Sequence, residues 1–274
     1  MTTWREYCRD DPEAIAIHQL EAKCWAPFTL QPRGIMKGRM DAYPDGQLCL
    51  VNEGKLLATI STNRIDWDGD PASLSTRSWD SIAGISQTFE DSYRPGGNTF
   101  CLMATNVDPD ARGQDLVGEL MGALMAIAGT ANIDYIISPF RPNGYGDMVI
   151  QAHLVGRSIP SFEEYVAGRG VDGLPIDHWL HQLEKKFGMV QMNTARDAME
   201  IPISGREFQS FRAAADHQAD RRGKPRWQMI RTERGPAWWC GETGFFYPEP
   251  DGRFVYREDN MWGRIRRPDG GWRS

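Results

Sequence analysis

The chain has 274 residues, of which 41% are hydrophobic and 25% charged, and its formal net charge is −6. This length and composition predict a globular protein with a sizeable core, and the acidic balance argues against nucleic acid as a partner. No apolar run approaches the roughly 18 residues that a membrane-spanning helix needs, and residues 1–6 carry no apolar signal segment. We therefore expect a cytoplasmic protein without membrane contact.

The N-terminal part of the chain predicts two helices followed by a β-hairpin. Asp11-Pro12 is typical of a helix start, and apolar residues then recur at helical spacing as far as Cys24. A second helix is predicted over residues 32–42. Residues 48–51 and 56–65 predict two strands, because the residues between them have the composition of a hairpin turn.

The middle of the chain predicts a strand, a helix and a second strand. Residues 99–107 form the first predicted strand, which Pro109 ends. Apolar residues at helical spacing over 116–127 predict an amphipathic helix, and residues 133–138 predict a short buried strand. This order is typical of a βαβ unit.

The second half of the chain is less regular. Residues 139–173 are rich in Gly and Pro and predict a long loop over a site. One more helix is predicted over 176–187, and a strand over 199–203. We assign three regions: a main domain over 1–205, a charged linker over 206–235 and an aromatic-rich β appendage over 236–274.

The cysteines and histidines do not predict a metal site. The five cysteines are scattered and form no CxxC pair, so we expect reduced thiols rather than disulfides or zinc ligands. His178 and His181 lie at helical spacing, but no HExxH pattern accompanies them. We therefore expect an activity that needs no metal.

The clearest motif follows the strand over 99–107, and it reads Asn106-Val107-Asp108-Pro109-Asp110-Ala111-Arg112-Gly113-Gln114-Asp115-Leu116-Val117-Gly118. It resembles the acyl-CoA signature of the GNAT acyltransferases, in which a strand ending in V-x-P is followed by R-G-x-G-x-G/A and a helix. In such a turn, backbone N–H groups at the helix start point at a pyrophosphate. Glycines let the phosphates approach the backbone.

The resemblance implies an α/β protein of the GNAT (acyl-CoA N-acyltransferase) fold, with a mixed central sheet flanked by helices and, here, a small C-terminal β appendage. It implies acetyl-CoA or another acyl-CoA as the acyl donor. The residues implied to bind this donor are Asn106, Val107, Arg112, Gly113, Gln114, Leu116, Val117 and Gly118.

Two positions depart from the signature, because Asp115 and Val117 stand where the family prefers glycine. A carboxylate beside a pyrophosphate has the wrong sign, and we expect it to weaken binding by about 1 kcal/mol, by analogy with charge effects at helix ends. Alternatively, Asp115 is a first-turn helix acid that suits the helix dipole when no phosphate is present.

Residues 10–200 resemble more closely the GNAT-like domains that initiate polyketide synthesis, through Leu20–Trp25, Tyr43–Gln47, Thr62–Ile65 and Ala104–Val107. That resemblance implies decarboxylation of a malonyl-type thioester and loading of an acyl carrier protein. By motif, Trp25 matches the family's tryptophan, Ser138 its hydroxyl residue and Arg196 its arginine. The family's histidine position falls at Glu184, and this substitution argues against decarboxylation.

The proton-transferring group has several candidates. In ordinary GNAT enzymes a tyrosine occupies the position of Glu184, and a glutamate can act as an acid there only if burial raises its pKa. His181 lies nearly one turn earlier on the same helix. Tyr145 is a further candidate acid, or else an anchor of the loop over 139–173. The alternative for Glu184 is a solvated helix face.

We expect a GNAT-family acyltransferase that transfers an acyl group, in the first place acetyl, from acyl-CoA to an amine of a small molecule. A backbone N–H near residues 105–107 would bind the oxyanion. One alternative is a malonyl-thioester decarboxylase or S-acyltransferase that acts with an acyl carrier protein in polyketide or other natural-product biosynthesis. A second alternative is a catalytically inert GNAT-like scaffold.

Overall fold

The computed structural model of the chain describes residues 3–6, 11–31, 33–75, 77–83, 92–216, 227–239, 241 and 244–266. The contacts divide the chain into two compact units. Unit 1 comprises Met1–Pro139 and Gly263–Ser274, and unit 2 comprises Phe140–Trp262. In the described part of the chain, no helix is both long and apolar enough to span a lipid bilayer.

Unit 1 is built on a mixed sheet whose strands lie in the order of the chain. They are β1 (Thr3–Glu6), β2 (Gln47–Asn52), β3 (Lys55–Ile65), β4 (Thr99–Val107) and β5 (Tyr135–Phe140). Strands β1 to β4 pair antiparallel with their neighbours, whereas β4 and β5 pair in parallel. The parallel pair is possible because a helical crossover joins the two strands, as the predicted βαβ unit requires.

The helices described in unit 1 are α1 (Asp11–Cys24), α2 (Arg33–Ala42), α3 (Trp79–Ala83) and α4 (Leu116–Thr130). Ile17 of α1 and Met36 and Met40 of α2 pack with Cys49 of β2 in one core cluster. In α4, Leu120 and Leu124 are fully buried, so its apolar stripe faces the core. The predicted helices and the hairpin are therefore confirmed.

Unit 2 combines a second set of strands with four helices in its described part. The helices are α5 (Tyr145–Leu154), α6 (Phe162–Ala167), α7 (His178–Phe187) and α8 (Gly205–Asp216). The strands are β6 (Val190–Ile203), β7 (Gln228–Thr232), β8 (Gly235–Trp239), β9 (Phe245–Pro248) and β10 (Phe254–Ile265). Strands β7 to β10 pair in sequence, and β6 also pairs with β10.

The loop predicted over residues 139–173 is wrong in part, because it contains α5 and α6. Glycines and prolines suggested a loop, but they lie between the helices and at their ends. Ser161 caps α6 by accepting from the Glu164 N–H, and the Glu164 carboxylate accepts from the Ser161 N–H. This capping box satisfies two backbone donors of the first turn and defines the start of the helix.

The aromatic-rich C-terminal region has an aromatic core. The ring of Phe208 on α8 stacks on Phe254, with centroids 3.7 Å apart, and it also contacts Trp227 and Phe246. The predicted linker over 206–235 therefore contains α8 and β7, and Phe208 of α8 is buried. Residues 217–226 of this linker lie outside the described part. The domain boundaries at 205 and 235 stay a prediction.

Candidate functional site

Strands β4 and β5 diverge in the middle of unit 1. Their parallel pairing joins Thr99–Cys101 to Tyr135–Ile137 and extends no further, although β4 continues to Val107. Ser138, one residue beyond the last pair, donates its hydroxyl to the Leu102 carbonyl at 3.1 Å. The second half of β4 thus has an edge that β5 does not cover.

A β-bulge lies on β4 at the same level. Ser61 of β3 pairs with Ala104 and Thr62 pairs with Leu102, so Met103 is the extra residue. The Trp79 Nε1–H donates to the Met103 carbonyl at 2.7 Å. A bulge bends its strand and re-aims the residues that follow it. Side-chain donors from α3 and β5 therefore hold the two carbonyls at the point where β4 leaves its neighbour.

The backbone of residues 105–107 presents donors to the uncovered edge. The N–H of Asp108 donates to the Leu57 carbonyl of β3 at 2.8 Å. Because ladder bonds alternate along an antiparallel strand, the N–H groups of Thr105 and Val107 point away from β3. The Cys24 thiol contacts the Val107 carbonyl on that side at 3.4 Å. The oxyanion position near residues 105–107 stays a prediction.

A buried polar cluster joins the end of α1 to β4. The Trp25 Nε1–H donates to Oδ1 of Asn106. The Asn106 amide then donates to the Thr59 hydroxyl at 3.1 Å and to Oε1 of Glu21 at 3.5 Å. Both Glu21 and Asn106 are buried. The Asn106 side chain is thus engaged within the protein, and its predicted role in binding the acyl donor would fall to its backbone.

Glu21 is the titratable member of this cluster. Burial raises the pKa of its carboxyl above the ordinary value, while the charge of Arg39 and the hydrogen bond from Asn106 act in the opposite direction. Glu21 has no ion-pair partner among the described residues, and its second oxygen, Oε2, accepts no hydrogen bond from them. Its carboxylate can therefore take up a proton without breaking a salt bridge.

Asp108 ties together the segments around this cluster. Lys23 of α1 and Lys55 of β3 both reach its carboxylate, at 3.1 and 3.3 Å. The pKa of Asp108 is lowered, chiefly because its side chain accepts from the backbone N–H of Asp110 and also because of the two lysines. Asp108 therefore stays ionised and orients the start of the signature turn.

The signature turn exposes the residues that the sequence assigned to acyl-CoA. Arg112, Gly113 and Gln114 are exposed, whereas the Leu116 side chain is buried in the core. Gly113 has a φ of 87°, which favours glycine, and no atom lies within 4 Å of where a Cβ would stand. Leu116 and its neighbours Val117 and Gly118 can thus contribute through their backbone N–H groups.

Asp115 decides how well this turn suits a phosphate. It is the N-cap of α4 in the left-handed conformation, with a φ of 54°, but its side chain makes no capping hydrogen bond. Its carboxylate instead lies over the first turn, with Oδ2 2.7 Å from a Cβ built on Gly118. The helix start and Arg112 therefore fit a pyrophosphate, with one opposing charge beside it.

Two of the predicted proton donors, Glu184 and His181, lie on α7 and each has a charged neighbour. Oε2 of Glu184 accepts from Arg169 Nη1 at 2.6 Å, and the Glu184 side chain is 27% exposed. Nε2 of His181 lies 3.8 Å from a carboxylate oxygen of Asp172. Each residue has a separate acidic or basic partner, and their catalytic assignment stays a prediction.

Arg196 and Tyr145 lie in a different part of unit 2. Arg196 forms ion pairs with three carboxylates, those of Glu163, Glu233 and Asp259. Tyr145 is buried between aromatic rings and lines a cleft together with Glu233. Burial, together with the charges of Glu233 and Asp259, raises the pKa of Tyr145. A phenol with a raised pKa remains a hydrogen-bond donor at neutral pH.

Glu21 was missed as a candidate by sequence reasoning, although one signal was available. Glu21 and Trp25 are four residues apart at the end of α1, and this spacing places two side chains on the same face of a helix. The sequence could not show that Asn106, 81 residues beyond Trp25, lies opposite that face. The cluster depends on the pairing of strands distant in the chain.

Comparisons with known proteins address the fold. No protein-family profile matches the chain, and no curated protein gives a significant match. Among solved structures, the chain is similar to the loading GNATL domain of CurA from Lyngbya majuscula, with a TM-score of 0.57 and 18% identity over 70% of this chain and 88% of that one. It is also similar to the GphF GNAT-like decarboxylase in complex with isobutyryl-CoA, with a TM-score of 0.57 and 23% identity over 72% of this chain and 90% of that one.

Both solved structures match most of their own length, and both are GNAT-like proteins. Unit 1 has the mixed sheet, the parallel β4–β5 pair and the helix that follows β4 through a signature turn. These features agree with the architecture that residues 106–118 predicted. The chain therefore has the GNAT fold.

Proposed function

We propose that this protein transfers an acyl group from acyl-CoA to an amine of a small molecule. The observation that carries the proposal is the segment from Thr105 to Gly118. It begins with backbone donors on an uncovered strand edge and ends with a helix start that has no side-chain cap. A thioester carbonyl and a pyrophosphate are the chemical groups that such donors suit.

The donor would be held by backbone groups and one arginine. Arg112 and the N–H groups of Gly113, Gln114, Leu116, Val117 and Gly118 would hold the pyrophosphate. The N–H groups of Thr105 and Val107 would donate to the carbonyl oxygen as negative charge develops on it. Fixed backbone donors stabilise such charge without having to reorganise during the reaction.

Glu21 is the residue that we assign to proton transfer. An attacking amine must lose a proton, and a carboxylate with a raised pKa is a better base near neutral pH than an ordinary one. Glu21 has such a pKa, and it contacts Asn106 on the strand that carries the proposed carbonyl donors. Trp25 and Thr59 hold Asn106, so the cluster fixes the position of the Glu21 carboxylate.

Glu184 remains the alternative that the sequence favoured. Its carboxylate already forms an ion pair with Arg169 at 2.6 Å, so it would have to leave this partner to accept a proton from a substrate amine. For this reason we place Glu21 before Glu184 in the assignment.

A second candidate function is the decarboxylation of a malonyl-type thioester or S-acyl transfer to an acyl carrier protein. It is favoured by the two solved structures, one a loading domain and the other a decarboxylase, and by Trp25. Three features oppose it: the Ser138 hydroxyl donates to the Leu102 carbonyl, Arg196 is held by carboxylates, and Glu184 replaces a histidine. Release of CO₂ from malonyl-CoA by the unaltered protein would reverse the ranking of the two functions.

Titration calorimetry with acetyl-CoA tests the proposed donor site. We expect Arg112→Ala to weaken binding by about tenfold, the effect of losing one charge-assisted contact. Asp115→Asn keeps the shape of the side chain and should tighten binding by about fivefold, since roughly 1 kcal/mol of repulsion disappears.

Arg94→Ala is the matched control, because Arg94 is an exposed arginine in the loop before β4. Acetyl-CoA affinity should be unchanged in this variant. Failure of acetyl-CoA and malonyl-CoA to bind, to the unaltered protein and to Asp115→Asn alike, would refute the donor site. Binding without turnover of any amine would leave the inert scaffold as the better description.

A further inference from the structure

We propose that unit 2 holds a second binding site, for a small organic anion with an apolar body. The site is a cleft of about 490 Å³ between α5, the segment that precedes α6, and the end of β7. Volumes of roughly 300–1,000 Å³ are typical of small-molecule sites. The cleft lies wholly within unit 2 and does not depend on the proposed acyl transfer.

The acidic and hydroxyl groups of the cleft already have partners in part. The Glu164 carboxylate accepts from the Ser161 N–H at 2.8 Å, and the Glu233 carboxylate is paired with Arg196. The Thr232 hydroxyl donates to the Gly235 carbonyl at 3.0 Å. Among the described residues, Glu164 is thus the one carboxylate of the cleft without a cationic partner, whereas two arginines line the same cleft.

Three hydrogen-bond donors of the cleft have no partner among the described residues. Within the described residues, the guanidinium groups of Arg157 and Arg231 form no ion pair or hydrogen bond, and neither does the Tyr145 hydroxyl. A guanidinium presents a planar fork of N–H groups that matches a carboxylate or a phosphate. Two arginines without a partner in the described part of the chain outnumber the one uncompensated carboxylate, and together with the phenol donor they favour an anion.

The remaining lining of the cleft is apolar. Val149 is fully buried, Ile159 and Pro160 are half-buried, and the Tyr145 ring packs edge-on against Phe162 with centroids 5.1 Å apart. Such a surface favours an aliphatic or aromatic body over a bare ion, because burial of apolar area contributes to affinity. The ligand class is thus a carboxylate or phosphate monoester on a small apolar group.

Calorimetry with four small probes tests this assignment. We expect phenylacetate and phenyl phosphate to bind more tightly than inorganic phosphate, and phenethylamine to bind least. Arg157→Gln/Arg231→Gln should weaken phenylacetate binding at least about tenfold, and Tyr145→Phe should weaken it by a smaller factor. A cooperative thermal unfolding transition at a temperature close to that of the unaltered protein shows that each variant folds.

Arg253→Gln is the matched control, since Arg253 is an exposed arginine of the same unit that pairs with Asp251 at 2.7 Å. Its affinity for phenylacetate should equal that of the unaltered protein. Unchanged binding by the double arginine variant, or equal binding of phenethylamine, would overturn the proposal. Equal affinity for inorganic phosphate and phenyl phosphate would contradict the requirement for an apolar body. If none of the probes binds, the proposed site is refuted.

Discussion

The end of α1 and the middle of α7 each carry a glutamate that could transfer protons, but their surroundings differ. Glu21 on α1 is 6% exposed and receives one hydrogen bond from the neutral amide of Asn106. Glu184 on α7 has 27% of its side chain exposed and is paired with Arg169. The Glu21 carboxylate is buried without an ion-pair partner among the described residues, whereas the Glu184 carboxylate forms an ion pair with Arg169.

The comparison shows why burial and charge pairing must be considered together. Desolvation raises the pKa of the Glu21 carboxyl, and a raised pKa brings a glutamate closer to proton exchange at neutral pH. Position on a helix does not distinguish the two residues, since both face inward in part. The partner of each carboxylate does distinguish them.

Substitution of the two glutamates gives the largest expected effect. We expect Glu21→Gln to lower kcat for amine acylation by about a hundredfold or more, because general-base catalysis contributes roughly 10²–10⁴-fold. The KM for acyl-CoA should change little, since Gln retains the contact with Asn106. Steady-state kinetics with a panel of small amines provides the measurement.

Glu184→Gln is the matched comparison for that experiment, because it makes the same chemical change on α7. We expect a much smaller loss of kcat, because Glu184 is not the proposed base. Its side chain forms a partly solvated ion pair with Arg169. A larger loss for Glu184→Gln than for Glu21→Gln would reverse the assignment and place proton transfer on α7.

The pH dependence of stability tests the buried environment of Glu21. The pKa of Glu21 is raised above 4.5, chiefly by burial and against the charge of Arg39. Its contribution to the free energy of unfolding is therefore fully present below pH 4.5 and is lost as the pH rises through the raised pKa. Glu21→Gln abolishes this loss, so the variant should gain stability relative to the unaltered protein as the pH rises.

Urea unfolding at a series of pH values on both sides of 4.5 measures this difference. The difference between Glu21→Gln and the unaltered protein should grow with pH and then level off above the raised pKa. A difference for Glu21→Gln that does not depend on pH would show that Glu21 titrates as an ordinary solvated glutamate.

The smallest expected effect concerns the divergence of β4 and β5. Ser138→Ala removes the donor to the Leu102 carbonyl and should lower the free energy of unfolding by about 1 kcal/mol. Ser210→Ala is the control, because its hydroxyl also donates to a carbonyl, that of Arg206, but is exposed. Thermal unfolding of both variants is the measurement. An equal effect of the two substitutions would remove the special role of the buried Ser138 bond.

Much of the fold could be predicted from the sequence. The hydrophobic period over 116–127 and the strands on either side of it were enough to predict the βαβ unit, since these patterns are local. The glycine-rich region over 139–173 was predicted wrongly as a loop, because helix ends and loops use the same residues. The capping of α6 by Ser161 and Glu164 was a local signal that could have corrected it.

Some features of the candidate site could likewise be predicted from the sequence, whereas others depend on the tertiary structure. Residues 106–118 are contiguous, so the sequence alone determined the resemblance to a GNAT signature and the wrong-signed charge at Asp115. The tertiary structure decided which carboxylate is buried and which is paired. Glu21 meets Asn106, and Glu184 meets Arg169, only because strands and loops bring these residues together. Chemical identity is a property of the sequence, whereas desolvation and charge pairing arise only when distant segments pack together.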